Sequence, residues 1–297
     1  MNRDFLKYLG GLLLFGSNGI VASGILMPSS QLVLVRTLIG CALLGAAVLL
    51  VRPARSATKH PRELLLLVVS GIAEGAAWLF LYEAYGEIGV GVTTLVFYCG
   101  PVIVMALSPF VFKTRLTAPM LAGFGVVILG MLLVNGSALQ GGKTPWGLFC
   151  AGMSAVMYAA MIVCNKKAPH VQGLENAAIV LFSTLATVAV FVGATSGFAL
   201  DPRGQDIPAI LFLGLANTGL GALLYVSAVG KLPVQTVSIC GYLEPLFAVV
   251  LSAAVLGEVF GPPQVLGAVC IIGGAVLGEW ASSKAHRTES SPDDETG

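Results

Sequence analysis

Apolar residues run in stretches of about twenty along nearly the whole chain, interrupted by short clusters of charge, Pro and Gly. A helix needs about 20 mostly apolar residues to cross a bilayer. The pattern predicts ten such helices, over 8–27, 31–51, 64–85, 88–111, 117–135, 145–164, 175–195, 207–227, 234–256 and 263–281. The connections are short, and 282–297 reads as a disordered cytoplasmic tail. Residues Met1 to Lys7 lead straight into the first stretch with no cleavage pattern behind it, so that stretch is expected to be a transmembrane helix and not a signal peptide.

Composition narrows the class. Of 297 residues, 56% are hydrophobic and 10% charged, whereas a soluble domain carries about 25% charged residues. The chain therefore reads as an all-α integral membrane protein. A net charge of +1 offers no basic face for nucleic acid. The six cysteines, Cys41, Cys99, Cys150, Cys164, Cys240 and Cys270, stand singly in apolar runs without metal-ligand spacing. His60, His170 and His286 fall in polar connections or the tail, so neither a buried histidine proton relay nor a metal site is expected. No Gly-rich phosphate loop is present, and no cofactor is expected.

Charge also orients the chain. With a cytoplasmic N-terminus, the inner segments hold Arg3, Lys7, Arg52, Arg55, Lys59, Arg62, Lys113, Arg115, Lys166, Lys167, Lys231, Lys284 and Arg287. The outer segments hold only Lys143 and Arg203, and Arg36 lies within a span. Basic residues concentrate on the cytoplasmic side of membrane proteins, so both termini are expected to be cytoplasmic.

The chain matches itself at an offset of 144 residues, without a gap, between 84–133 and 228–277. Identical pairs include Gly86/Gly230, Tyr98/Tyr242, Pro101/Pro245, Ser108/Ser252, Pro119/Pro263, Gly123/Gly267 and Gly130/Gly274. Thirteen identities in 50 positions exceed the roughly four expected by chance from this composition. Each repeat contains five helices, an odd number, so the second must enter the membrane with opposite polarity. The predicted organisation is two inverted five-helix repeats, 1–140 and 141–281. Secondary transporters use this architecture because related halves can rock about a central site.

At this point particular residues carry a resemblance. They are Phe15-Gly16-Ser17-Asn18, Arg36, Ala84-Tyr85-Gly86 and Gly100-Pro101 in the first half. In the second half they are Ala228 to Pro233, Leu243-Glu244-Pro245, Leu256-Gly257-Glu258 and Gln264 to Gly267. Over residues 5–281 the chain resembles the EamA type of the drug/metabolite transporter superfamily. One departure is Lys113-Thr114, where the family often carries an acidic residue equivalent to Glu258. The resemblance implies a plasma (inner) membrane transporter, with export as the direction and amino acids or related metabolites as cargo.

An ionisable residue inside a span is costly facing lipid and is a functional candidate by default. Glu74 and Glu244 fall near mid-span, Glu83 within the last half-turn of the third helix, and Arg36 about five residues below the outer end of the second, within snorkelling reach. Gly100-Pro101 and Pro245 occupy equivalent points of their repeats, where proline removes a backbone donor and bends the helix. The expected substrate-binding layer is Asn18, Glu74, Asn217, Thr218 and Glu244, bordered by Trp78, Tyr98 and Tyr242. Its carboxylates can contact a substrate amine or carry a coupling proton, because burial disfavours the charged carboxylate. Helix packing and helix-helix hydrogen bonds are the alternative roles for these side chains.

The sequence thus predicts a secondary transporter of a small-molecule substrate, embedded in the lipid bilayer, with protons as a candidate coupling ion. A facilitative uniporter or channel-like carrier remains open, as does the choice between monomer and homodimer. A membrane-embedded enzyme acting on lipid would need a cluster of His, Asp or Glu at the interface, which the sequence does not supply.

Overall fold

The computed structural model describes residues 3–52, 56–112, 118–140, 144–229, 240–241 and 243–289. Among these the chain is helical, with no strand. The first half contributes α1 (Arg3–Ser23), α2 (Ser29–Val51), α3 (Pro61–Ile88), α4 (Val90–Phe97), α5 (Gly100–Phe112) and α6 (Ala118–Gln140). The second half contributes α7 (Pro145–Lys166) and α8 (Gly173–Thr195), then one continuous rod. That rod consists of α9 (Ile207–Leu211), a π-helix (Phe212–Leu220) and α10 (Gly221–Val229). After it come α11 (Leu243–Leu256) and α12 (Pro262–Glu289). Six helical segments are long and apolar enough to cross a membrane, and shorter apolar ones accompany them.

Local chemistry sets the ends. Pro61 opens α3 and Pro145 opens α7, first-turn positions where the missing N–H is not needed. Thr144 caps α7, its Oγ1 accepting from the Gly147 N–H at 3.1 Å. Gly89, at φ 87°, separates α3 from α4 in a conformation that side chains with a Cβ avoid.

Two expectations need correction here. The helix expected to end at 281 continues to Glu289, because the run Ala281 to Glu289 contains no Gly or Pro to stop it and the backbone can stay helical beyond the hydrocarbon. Helix α3 continues to Ile88, which places Glu83 inside the helix and not in its last half-turn.

Close contacts fix the relative directions of the helices. A Cβ at Gly123 would lie 2.6 Å from the Gly274 carbonyl oxygen, and one at Gly130 would lie 2.7 Å from that of Gly267, so α6 and α12 run antiparallel in near-backbone contact. Helix α3 runs parallel to α8, with Gly71 against Val180 and Gly75 against Thr184. It runs antiparallel to α7, where Ser70 Oγ donates to the Met161 carbonyl at 3.0 Å and Gly147 meets Ile88.

The main contacts between halves pair off. Helix α3 packs on α7 as α10 packs on α1, and α3 packs on α8 as the π-helix packs on α2. Helices α4 and α5 pack on α7 as α11 packs on α1, while the pairs α2–α8 and α6–α12 map onto themselves.

Polar contacts gather at the two ends of the bundle. At one end, Glu258 accepts from the Val90 and Gly91 N–H groups at 2.7 and 2.9 Å, and Ser29 Oγ donates to Glu83 at 2.6 Å. At the other, Glu175 accepts from the Ser56 and Ala57 N–H groups at 3.0 and 2.9 Å. There His170 bonds Glu63 at 2.6 Å and stacks on His60 with centroids 4.5 Å apart. The fold therefore unites histidines that looked isolated in sequence, with the ligand atoms of His60, Glu63 and His170 within 4.8 Å of one another. The rings are nearly parallel, at 12°, so their in-plane lone pairs do not converge on one point, and the arrangement is that of a hydrogen-bonded latch between loops of the two halves.

The α6–α12 contact gives a direct test. Gly123→Ala forces a methyl group against backbone and should lower the unfolding temperature in detergent, an overpacking cost of about 1–3 kcal/mol. Gly125→Ala, which meets nothing within 4 Å, should leave that temperature nearly unchanged.

Candidate substrate site

The π-helix begins the site. Thr218 Oγ1 donates to the Leu213 carbonyl at 2.8 Å, five residues back. Asn217 lies fully buried, its Nδ2 donating to the Leu14 carbonyl at 2.6 Å and to Ser17 Oγ at 3.0 Å on α1. Such wide turns recur at functional sites because they free backbone and side-chain groups from the regular ladder. Gly40 lets α2 close on this stretch, since a Cβ there would lie 2.5 Å from the Thr218 methyl group. The Oδ1 atoms of Asn18 and Asn217 are both buried without a hydrogen-bond partner.

Arg36 does not snorkel. Only 2% exposed, it turns inward from α2, and its Nε donates to Thr218 Oγ1 at 3.0 Å. Its Nη1 donates to the Tyr82 hydroxyl. The guanidinium carbon lies 4.5 Å from the Trp78 ring centre and 5.1 Å from that of Tyr82, a cation–π arrangement. The sequence reading placed Arg36 at the outer side. Its depth is as the sequence reading had it, seven residues into α2, but two aromatic faces of α3 and a hydroxyl from the second half turn the charge into the bundle and away from the surface. Among the described residues Arg36 forms no ion pair.

Glu244 begins α11 and lies within electrostatic reach of Tyr98. Tyr98 closes α4, and the chain breaks before α5 begins at Gly100-Pro101, so the single helix expected over 88–111 is two, with Pro101 in the first turn of the second, where its missing N–H is not needed. Gly100 allows this break to rest against Tyr158 of α7, 2.6 Å from where a Cβ would stand. On the other side, a Cβ at Gly16 of α1 would lie 2.9 Å from the Glu244 carbonyl oxygen. Pro245 stands in the first turn of the described α11, while Tyr242 and residues 230–239, which decide any bend there, lie outside the described residues. Tyr85 lies between the two clusters, within electrostatic reach of both Arg36 and Glu244 and stacked obliquely on Tyr82.

Glu74 sits slightly apart. Its Oε2 accepts from Thr184 Oγ1 of α8 at 3.2 Å, and it interacts with Arg36 through space without an ion pair. Glu83 belongs to the end contact with Ser29 and not to this belt. A cavity of about 460 Å³ lies elsewhere, between α11 and α12, lined by apolar side chains such as Leu246, Phe260, Val265 and Ile272.

The structure thus brings together Arg36, Trp78 and Thr218 as one cluster, with Asn217 beside Thr218 and bonded to α1, and it sets Tyr98 near Glu244; Asn18 is placed on α1 next to Ser17 with no contact to the cluster of its own. Sequence reasoning missed Tyr82 and Tyr85, although their spacing of four and seven residues from Trp78 puts all three on one face of α3. It also left Glu258 without a role, and Glu258 proves to cap the N-terminus of α4 from the opposite half.

The EamA-like transporter family matches residues 5–136 and again 145–278. The chain is similar to an uncharacterized transporter, YxxF, of Bacillus subtilis, 26% identical over 279 residues that make up 92% of this chain and 88% of that protein. It is also similar to a probable amino-acid metabolite efflux pump of Salmonella typhimurium, 28% identical over 235 residues, 74% of this chain and 77% of the relative. A solved crystal structure of a protein shares the fold at a TM-score of 0.66 and 20% identity, covering 95% of this chain and 99% of its own. The chain belongs to the EamA-like transporter family.

Proposed function

We propose that this chain is a secondary transporter of the plasma (inner) membrane that exports amino acids or related small metabolites by alternating access. The observation that carries the reading is the buried polar belt, to which both halves contribute: Asn18, Arg36, Trp78, Tyr82 and Tyr98 from the first, Asn217, Thr218 and Glu244 from the second. A site built between two related halves is exposed to one side or the other as the halves rock. The organisation is ten spans in two inverted repeats, 1–140 and 141–281, with both termini cytoplasmic. The paired contacts, the antiparallel run of α6 against α12 and the two family matches support it. Amino acids as cargo draw support from the Salmonella relative named a probable amino-acid metabolite efflux pump.

Glu74 and Glu244 are the acidic groups at the belt and carry the coupling proton in this reading. Purified protein in liposomes preloaded with an amino acid should show counterflow of the labelled solute; absence of exchange across a full amino-acid panel would reject transport of this class. Glu74→Gln and Glu244→Gln should each flatten the pH dependence of uphill transport while leaving counterflow measurable. Wild-type pH dependence in both variants, or exchange indifferent to an imposed pH gradient, would point instead to a facilitative uniporter.

A further inference from the structure

We propose that the bundle carries one latch at each end, the two related by the internal repeat, and that the latch built on His60, Glu63 and His170 responds to pH and regulates access to the transport site from its side. The regulatory role rests on the transport reading above, whose orientation makes that side the cytoplasmic one. The latch itself does not depend on that reading.

The two ends make the same contacts with different residues. At one end the His170 N–H donates to the Glu63 carboxylate at 2.9 Å, and at the other the Leu26 N–H donates to that of Asp206 at 3.3 Å. Leu26 and His170 are 144 positions apart, and Glu63 and Asp206 are one residue short of that offset. Both carboxylates stand at the start of the third helix of their repeat, Glu63 on α3 and Asp206 just before α9. A second pair repeats the match. Glu175 of α8 accepts from the Ser56 N–H at 3.0 Å, and Gln31 of α2, its counterpart at the same offset of 144, donates to the Ala199 carbonyl at 3.5 Å. Equivalent residues therefore tie the first half to the second at both ends. When inverted repeats rock about a central site, each end takes in one state the part its counterpart takes in the other, so matched ties are placed to open in turn.

The two latches differ in what can titrate. Of the three histidines in the chain, two belong to one latch, and the positions 144 residues from His60 and His170 are Gly204 and Leu26. Histidine changes charge between about pH 5 and 8. His170 Nδ1 lies 2.6 Å from Glu63 Oε1, so that nitrogen carries its hydrogen toward the carboxylate. Protonating the ring turns a neutral donor into a charge-assisted one. Desolvation pushes the Glu63 carboxyl up, but the side-chain and backbone bonds from His170 outweigh it and hold that group below the ordinary carboxylate range. Glu63 thus stays ionised while the imidazoles titrate. By linkage, a proton held more firmly in the latched form stabilises that form as pH falls through the histidine range, and the gain is lost as pH rises through it.

The surroundings limit the response to one proton. His60 stacks on His170 with ring centres 4.5 Å apart, and two imidazolium rings at that spacing repel each other. Lys59, Arg62, Lys166 and Lys167 on the adjoining turn and helix ends oppose the proton, while Glu63 and Glu175 favour it. The His170 side chain is 62% exposed, so it samples the pH of the aqueous phase, in contrast to the carboxylates of the buried belt.

Amide hydrogen exchange on the intact protein in lipid nanodiscs tests the proposal, with each rate divided by the intrinsic rate at the same pH. Peptides covering 56–63 and 167–175 report the histidine latch, and peptides covering 24–31 and 196–206 report its counterpart. Between about pH 8 and about pH 6 the first set should gain protection by about threefold, the size an exposed charge pair supports, and the second should not change. His170→Asn keeps a donor near the position of Nδ1 and cannot take up a proton, so it should retain protection and lose the pH response. Glu63→Gln should bring protection at the lower pH down to the wild-type value at the higher one. An unchanged histidine latch in the wild type, or an equal change at both ends, would overturn the proposal without reliance on any variant, and so would a response that survives His170→Asn. Counterflow in liposomes is measured alongside. A one-ended pH response without exchange of any solute would keep the latch and reject transport, whereas exchange without that response would keep transport and reject the titrating latch.

Discussion

Inside hydrocarbon no water is available to a backbone N–H or C=O, so each must find its partner within the protein. Among the described residues the structure meets that demand with unbroken helices and interrupts them at three places where a neighbouring helix compensates. The turn at Gly89 is covered by the Glu258 carboxylate, which accepts from the first two N–H groups of α4. The break after Tyr98 lies against Tyr158. The wide turns of 212–220 are met by α1 through Asn217 and by α2 through Arg36. Irregular backbone and polar side chains are therefore one phenomenon here, and both lie between the halves.

That placement explains why a few polar groups can be decisive. Each departure exposes groups whose compensation comes from the other half: Glu258 serves α4, Thr218 serves Arg36, Glu244 meets Tyr98, and Asn217 meets Ser17. Any rocking of one half against the other would have to exchange these contacts, not merely slide apolar surfaces. The glycine contacts between α6 and α12, by contrast, are backbone against backbone without polar partners, which suits a pivot more than a gate.

Much of the fold was legible because apolar length and breaking residues are local properties. The apolar runs and the presence of an interruption at Gly100-Pro101 follow from composition over a few residues. What escaped depends on direction. Arg36 was visible as a charge in a span, but its inward rotamer is set by Trp78, Tyr82 and Thr218, the last of them 182 residues away in sequence. The pairing of His60 with His170 likewise needed the two loops to share an end of the bundle. The π-helix has no periodic signature of its own, since Asn217 and Thr218 read equally well on an ordinary helix. Glu83 illustrates the opposite error, where a boundary drawn by hydropathy stopped short of a helix that continues past the apolar region.

The wide turns also break the symmetry between the repeats. Glu74 lies on a regular helix, whereas Thr218, its counterpart 144 positions later, lies on one wound more loosely. A helix that changes its winding alters angular register more than length: one residue gained or lost turns everything beyond it by about 100° at 3.6 residues per turn. Single-residue insertion or deletion in 212–220 would therefore act as a rotary selector, swinging a different pair of side chains toward α1 and α2 while the rod still spans the same thickness. Divergence among related proteins can proceed by this route without substituting a residue of α1 or α2, because the choice of which side chains face those helices is held in the pitch of one rod.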